Sequence, residues 1–499
     1  MKRIINLILS FILIVLLSNC SNSSDEKVVQ LPVKNDPTVS FRIWFKVGSQ
    51  NDPAGKEGLA SLTANLLSQG ATKNNTYEEI LEKLFPLASY YNCNASTEMT
   101  IFSGRTHLDN INEFYSLFID GILNPAFEES DFNRLKDQAL NYLKTNLKYS
   151  SDEELGKAVL YNDIFEGTPY GHITTGTISG LESITLEDVK DFYNKYYTRD
   201  NYVIGIGGGY EKELLNNLIN DLDKLPEGIV KSISTPNPKP IDGYELTIVE
   251  KNAPATAISM GFPIDILRGS KEWYALSIAN SWFGEHRNSS SHLYQVIREA
   301  RGLNYGDYSY IENFPNGGSR QMPPTNVSRR QQIFEIWIRP VPNETKHFSL
   351  RAALRELKLL VDNGLTENQF ELTRNFLKKY VLHYAPTTME RLGYAIDDKF
   401  YGIDGSHLER FRTMMDKVTL EDVNNAIKKY LQYENMMIAV ITNNAEEFKN
   451  NLVNNIESPI EYTSPKPQEV YDEDELIKVF HIPISEEKVK IIPVEELFK

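Results

Sequence analysis

The chain has 499 residues, of which 41 % are hydrophobic and 11 % aromatic. At roughly 150 residues per domain this length predicts more than one domain and excludes a small binding module, and the aromatic content excludes a disordered chain. Acidic side chains outnumber basic ones by 68 to 52, and the formal net charge of −16 excludes general binding to a phosphate backbone. We therefore expect no nucleic acid among the partners.

The first 19 residues have the pattern of an export signal. Two basic residues precede an almost wholly apolar run, 4–17, and small or polar residues follow before Cys20. The run is shorter than the roughly 20 residues of a membrane-spanning helix, which argues against the alternative of an uncleaved anchor helix. The segment 1–19 resembles a bacterial lipoprotein signal. This resemblance implies a lipid on Cys20, a polar tether over 20–34 and a lipid-anchored protein of the bacterial cell envelope, on the periplasmic side or at the outer membrane.

Periodic patterns in both parts of the chain predict α+β structure. The apolar residues that alternate along the first predicted strand are Val39, Phe41, Ile43, Phe45 and Val47. A segment with helical periodicity follows at 132–147, and later strand-like segments lie at 246–249 and 258–262. Each half is therefore predicted to be an antiparallel sheet packed with helices.

An internal repeat relates the two halves of the chain. The pentapeptide Thr185-Leu186-Glu187-Asp188-Val189 recurs at 419–423, and the same offset relates Asn201 to Asn435. A constant offset over more than thirty positions argues against the alternative that the pentapeptide is only a common helix start. The sequence therefore predicts two copies of one supersecondary plan.

Prolines mark the boundary between the two halves. Three of them alternate with other residues between 234 and 240, which favours an extended linker over 229–243. This linker is predicted to join an N-terminal domain, 35–228, to a C-terminal domain, 244–455. The last segment, 456–499, leaves two alternatives: an extended arm that wraps one half, or a loosely ordered tail.

Three stretches of the sequence resemble the pitrilysin/insulinase family of zinc metallopeptidases. They are VGSQNDPAGKEGLA at 47–60, TPYG at 168–171 with YYTRDNY at 196–202, and LYQVIREARGLNY at 293–305. The resemblance covers about residues 36–455. It implies two homologous α+β halves that form a clamshell around a peptide.

The zinc motif of that family is lost in this chain. Active members carry H-x-x-E-H, in which two histidines on one helix face bind Zn²⁺ and the glutamate acts as general base. The matching residues here are Ser61, Ala64 and Asn65, and Asn141 lies nearest the position of the family's third ligand, a glutamate. A hydroxyl and two carboxamides do not replace imidazoles and a carboxylate as zinc ligands. We therefore expect no metal ion or other cofactor in this chain, and no hydrolysis by this chain alone.

A second pair of family residues is retained. In active members an arginine and a tyrosine seven residues apart hold the substrate backbone and face the carbonyl at the metal, and Arg298 and Tyr305 match them by motif and spacing. A guanidinium and a phenol are suitable donors for peptide carbonyls and for a developing oxyanion. The alternative is structural: Arg298 would complement the end of a helix and Tyr305 would be a core aromatic residue of a strand.

Loss of the zinc residues with retention of this pair matches one arrangement in the family. Some bacterial and organellar members are heterodimers, in which one subunit carries H-x-x-E-H and the other supplies the arginine and the tyrosine. The resemblance therefore implies a zinc-free subunit whose partners are a zinc-bearing paralogue, a peptide substrate and a membrane. Zinc would be held by that paralogue. The alternative is a non-enzymatic scaffold of the same fold in an envelope complex.

Overall fold

A computed structural model describes residues 27–315, 317 and 320–499. The export signal and Cys20 lie outside the described residues, so the lipoprotein interpretation stays a prediction. The described residues form two α+β halves, each built on one β-sheet, as the sequence predicts. None of their helices is sufficiently long and apolar to cross a bilayer.

The first half contains a five-stranded mixed sheet. Its strands are β1 (Val28–Pro32), β2 (Thr38–Phe45), β3 (Tyr90–Ala95), β4 (Thr100–His107) and β5 (Tyr202–Gly208). Their order is β1-β5-β2-β4-β3, with β1 parallel to β5 and the other pairs antiparallel. The helices are α1 (Leu59–Gln69), α2 (Tyr77–Leu84), α3 (Ile111–Leu123), α4 (Glu129–Asn141), α5 (Asp152–Ile164), α6 (Ile178–Ser183), α7 (Leu186–Tyr196) and α8 (Lys212–Leu222). A π-helical turn, Tyr142–Asn146, and a three-residue α-helical segment, Leu147–Tyr149, continue α4.

The second half contains a six-stranded mixed sheet. Its strands are β6 (Tyr244–Glu250), β7 (Thr256–Ile264), β8 (Asp307–Tyr310), β9 (Gln332–Val341), β10 (Met436–Thr442) and β11 (Val489–Pro493). Their order is β11-β6-β10-β7-β9-β8, and β6 is parallel to both of its neighbours. The helices are α9 (Lys271–Gly284), α10 (Lys346–Asn363), α11 (Glu367–Tyr380), α12 (Thr388–Tyr401), α13 (His407–Lys417), α14 (Leu420–Tyr430), α15 (Ala445–Val453) and α16 (Gln468–Ile477). Another π-helical turn spans Tyr294–Glu299.

The two sheets confirm the internal repeat. The order β6-β10-β7-β9-β8 in the second half repeats the order of the five strands in the first. The helices α7 and α14 begin with the same capping box, in which Thr185 or Thr419 accepts a hydrogen bond from the backbone of the aspartate three residues later. The sheets are mixed where antiparallel sheets were predicted, because alternation indicates a strand but not its direction, and the long chain between β1 and β5 allows a parallel pair.

Each half covers one face of the other half's sheet with a helix. Helix α5 packs on β7, β9 and β10, and α12 packs on β1, β2 and β5. Glycines permit the close approach: a Cβ atom at Gly156 would lie 3.2 Å from Ser259 Oγ, and one at Gly207 would lie 3.0 Å from Thr388 Cγ2. Strand β2 is therefore buried on both faces, where a half-buried strand was predicted, and even Ser40 is 0 % exposed.

The terminal segments of the described chain both belong to the folded body. Residues 28–32, assigned to the predicted tether, form β1, because this short apolar run pairs with β5. Between the halves, 229–243 contains no helix or strand. The segment 456–499 is an ordered arm: α16 packs on α10, β11 extends the second sheet, and Phe498 is buried in the core of the first half. The arm therefore contacts both halves.

Candidate functional site

The degenerate zinc-motif positions lie on two packed helices. Ser61, Ala64 and Asn65 are on α1, which packs against α4, and α4 ends at Asn141. Ala64 is fully buried, Ser61 and Asn65 are half-buried, and Asn141 is exposed. The structure therefore gives these four positions the helical setting that the family resemblance implies.

The side chains at these positions do not fit a zinc ion. Ala64 has no polar side-chain atom, and the donors that remain are one hydroxyl and two carboxamides. Within 27–315, 317 and 320–499, no group of three His, Cys, Asp or Glu residues is arranged to hold a metal ion. These four positions therefore do not provide a zinc site of the H-x-x-E-H type.

The start of α1 is capped by a carboxyl group from the preceding loop. Asp52 accepts hydrogen bonds from the backbone N–H of Gly58 and of Ala60, both at 2.7 Å, and its Oδ2 lies 3.9 Å from His172 Nε2. Burial raises the pKa of Asp52 to about 8, with a further contribution from Glu57, although the two N–H groups oppose this shift.

A cavity of about 300 Å³ lies between the two halves. Most of its wall comes from the first half, from residues between Ala95 and Thr175, and it includes Tyr142, which directly follows Asn141. The remainder comes from the segment between β8 and β9. The polar and charged side chains that line the cavity are Ser96, Thr97, Tyr142, Glu154, Lys157, Tyr161, Tyr170, His172, Thr174, Thr175, Asn313 and Arg329. This cavity is a candidate binding site because apolar and polar side chains from both halves converge on it.

The side chain of Lys157, in the first half, packs into an aromatic cluster of the second half that consists of Tyr308, Tyr310, Phe314 and Trp337. This lysine side chain is 3 % exposed, and Nζ lies 3.6 Å from Glu335 Oε2 and donates a hydrogen bond to the Phe314 carbonyl. The same ammonium lies 4.5 Å from the ring centre of Trp337 and 4.7 Å from that of Tyr310. Burial raises the pKa of Glu335, while the charge of Lys157 opposes this rise.

Two tyrosines of the cavity wall donate hydrogen bonds to buried carboxylates. Tyr161 donates to Glu335 Oε2 at 3.2 Å, and Tyr170 donates to Glu98, whose other oxygen accepts a 2.6 Å bond from Arg330 Nε. Glu98 and Arg330 come from different halves, as do Tyr161 and Glu335, so the Glu98–Arg330 and Tyr161–Glu335 bonds connect the halves near the cavity. Burial raises the pKa of both phenols, and the neighbouring carboxylates add to the shift.

Arg298 and Tyr305 lie outside the wall of this cavity. Arg298 is in the π-helical turn, 4.6 Å from the ring centre of Tyr294 and 3.4 Å from Glu299 Oε1. Tyr305 is 76 % exposed, so it is not the core aromatic residue of the structural alternative. The structure does not bring this pair together with the cavity, and its catalytic role stays a prediction.

The turn that carries Tyr305 is held by its neighbours. Asn304 Nδ2 donates to Asp307 Oδ1 at 2.7 Å and to the Arg339 carbonyl at 3.0 Å. The side-chain oxygen of Asn304 accepts the Gly306 N–H at 3.2 Å. Asp307 is fully buried, and burial raises its pKa although Arg298 opposes the shift.

The cavity residues Lys157, Tyr161 and Arg329 were not predicted from the sequence. They come from separate segments of both halves, and no spacing motif joins them. The only signal nearby was TPYG at 168–171, which contains Tyr170 and was read only as part of the family resemblance.

Comparisons with known proteins agree with this fold. "Insulinase (Peptidase family M16)" matches residues 27–178, and "Peptidase M16 inactive domain" matches residues 183–377. A crystal structure of a peptidase M16 inactive domain from Pseudomonas fluorescens superposes with a TM-score of 0.73 at 22 % identity, covering 83 % of this chain and 95 % of that one. The structure of a protease from Helicobacter pylori superposes with a TM-score of 0.69 at 18 % identity, covering 83 % and 96 %.

Curated relatives carry both peptidase and non-peptidase names. An uncharacterized zinc protease of Rickettsia bellii is 25 % identical over 324 residues, 64 % of this chain and 75 % of that protein. The non-peptidase homolog YmxG of Helicobacter pylori is 22 % identical over 424 residues, 82 % of this chain and 90 % of that protein. The first match lies within the first half, and the second runs from the end of the first half into the second half. Together they confirm the resemblance seen in the sequence: the chain belongs to the peptidase M16 (insulinase) family.

Proposed function

We propose that this chain is an exported, lipid-anchored, zinc-free subunit of an M16 peptidase in the bacterial cell envelope. It binds extended peptide and supplies Arg298 and Tyr305 to the zinc site of a paralogous partner. Family membership supports this proposal, as do the absence of zinc ligands at Ser61, Ala64, Asn65 and Asn141 and the similarity to a non-peptidase homolog.

The observation that carries the proposal is the setting of Tyr305. Its ring is 76 % exposed, and its phenol has no hydrogen-bond partner within the part of the chain that the structure describes. The bonds of Asn304 fix the turn beneath it. A fixed, exposed phenol is available to a group on another molecule, and as a donor it would stabilise an oxyanion that develops at a partner's metal.

Peptide capture is assigned to the free edge of the first sheet. Strand β3 pairs only with β4, and its other edge is unpaired among the described strands. An extended peptide binds such an edge through its main chain by adding a strand. Residues 95–97, at the end of β3, also line the cavity between the halves, so a peptide on this edge would lead into it.

A scaffold function is the second candidate, and one observation favours it. Arg298 already contacts Glu299 and the ring of Tyr294, so its charge is compensated without a substrate. In this alternative the M16 fold would serve assembly of an envelope complex alone.

Reconstitution tests the proposal against the scaffold. The chain is purified alone and together with a paralogue from the same genome that has an intact H-x-x-E-H motif, and hydrolysis of a quenched fluorescent peptide is measured with and without a chelator. We expect chelator-sensitive hydrolysis from the mixture and none from either protein alone. Equal activity of the paralogue with and without this chain would contradict the shared-site proposal.

A further inference from the structure

Arg329 is a buried cation in the cavity wall, and Glu335, the carboxylate whose pKa it influences, does not lie within ion-pair distance of it. The arginine side chain is 3 % exposed, and it forms no ion pair with any residue that the structure describes. Its Nε donates a long, 3.3 Å bond to Gln332 Oε1, and its Nη2 has no hydrogen-bond partner. The other cation of the wall, Lys157, differs in this respect because Glu335 lies 3.6 Å from it.

Aromatic rings fix the position of the Arg329 guanidinium. Its central carbon lies 4.9 Å from the ring centre of Tyr161 and 5.3 Å from that of Phe165. Cation–π contacts of this kind stabilise the charge in part and limit the rotation of the side chain, but they leave the Nη2 donor unsatisfied. Burial of a charged donor without an acceptor is costly, so an anion that enters the cavity would gain a strong partner here.

We propose that the cavity binds a carboxylate group of a peptide, and that Arg329 holds this carboxylate. The planar guanidinium matches a carboxylate in geometry, and about 300 Å³ is room for one or two small residues. Glu154 lines the same cavity and Glu335 is paired with Lys157, and these two carboxylates favour a singly charged group over a dianion such as phosphate. This inference rests on the peptide-binding part of the proposed function and assigns its specificity.

Titration of the isolated full-length mature chain with three short peptides tests the inference. Calorimetry compares N-acetyl-Ala-Ala-Ala with a free carboxylate, the same peptide as C-terminal amide, and N-acetyl-Ala-Ala-Glu amide. We expect the free acid to bind at least tenfold more tightly than the alanine amide. If the glutamate amide binds as well as the free acid, the carboxylate comes from an acidic side chain. If it binds as weakly as the alanine amide, the carboxylate is that of a peptide end.

Variants locate the effect at Arg329. Arg329→Gln removes the charge and should abolish the preference for the acid, while Arg329→Lys should keep most of it. The matched control is Arg199→Gln, which removes a surface arginine paired with Glu227 and should leave all affinities unchanged. If Arg329→Gln fails to fold, the affinities of the acid and the amide for the wild-type chain still test whether the protein binds a peptide carboxylate.

The outcomes separate this inference from the proposed function. Equal affinity of the acid and the amide overturns the carboxylate site and leaves peptide capture on β3 in place. A preference for the acid that persists in Arg329→Gln also overturns it. Supply of Tyr305 to a partner is measured independently, by turnover of the reconstituted complex.

Discussion

Lys157 of the first half and Glu335 of the second form an ion pair in which the side chains are 3 % and 0 % exposed. Tyr161 donates a further hydrogen bond to the same carboxylate, and aromatic rings surround the ammonium. Because both charges are buried away from water, the attraction of each group to the other offsets the free-energy cost of burying it. This pair therefore links the stability of one half to the presence of the other.

Removal of one member of this pair should be strongly destabilising. Lys157→Met leaves Glu335 as an uncompensated buried acid, and we expect the free energy of unfolding to fall by about 3–5 kcal/mol in chemical denaturation. The control is Lys144→Met at the exposed pair with Glu182, where the change should stay below about 1 kcal/mol. Similar effects of the two substitutions would contradict this account.

Loss of the Tyr305 hydroxyl should affect turnover but not assembly. In the reconstituted complex, Tyr305→Phe should lower kcat by about 10²–10³, the usual cost of one donor aimed at an oxyanion. In the proposed shared site Arg298 positions the substrate backbone, so Arg298→Ala should also raise KM. The control is Tyr471→Phe, at a tyrosine on α16 of the C-terminal arm. Wild-type turnover of the Tyr305→Phe complex would favour the scaffold.

The buried carboxyl of Asp52 should make stability depend on pH. Burial raises its folded pKa to about 8 from an unfolded value of 3.8. Between these values the native state keeps a proton that the unfolded state releases, so stability falls as pH rises, by up to about 1.4 kcal/mol per unit. Denaturation from pH 5 to 7 should show that Asp52→Asn removes this slope. The exposed control, Asp404→Asn, should leave it unchanged.

Anchoring of the C-terminal arm should contribute measurably to stability. Leu497 is 7 % exposed and packs in the core of the first half, whereas Leu476 of the same arm is 58 % exposed. We expect Leu497→Ala to lower the free energy of unfolding by about 2–5 kcal/mol and Leu476→Ala to change it little. If both variants unfold at the same denaturant concentration as the wild type, the arm does not stabilise the protein.

Lipidation at Cys20 is tested by fractionation of cells. Cys20→Ala should abolish incorporation of labelled lipid and move the protein out of the membrane fraction, because acyl chains bind a bilayer in proportion to their buried methylenes. Unchanged fractionation, together with no lipid label in the parent chain, would contradict the lipoprotein interpretation.

The repeat was predicted correctly because each copy contains a helix that is determined by local features. The segments 185–196 and 419–430 share a cap, an acidic first turn and an apolar face, and these features determine a helix without help from the rest of the chain. Strand β2 was also predicted, but as a half-buried strand; burial of its second face was not predicted. That cover comes from α12, more than 340 residues later, and nothing in the strand itself indicates it.

The candidate site was predicted only in part, for a similar reason. Loss of the zinc residues could be read from one five-residue stretch. The cavity could not, because Lys157 and Arg329 are separated by most of a domain and acquire their surroundings only when the halves meet. Sequence spacing likewise does not indicate the exposure of Tyr305 or the bonds of Asn304 in the same turn.

The exchange of α5 and α12 between the halves also constrains how the protein is made. A nascent chain that has emerged as far as residue 243 already contains every strand of the first sheet, yet one face of that sheet stays bare until residues 388–401 leave the ribosome. The first half therefore cannot complete the packing of its sheet until α12 has been synthesised. For the same reason, neither half expressed separately should yield a soluble domain, whereas both halves produced together should recover one.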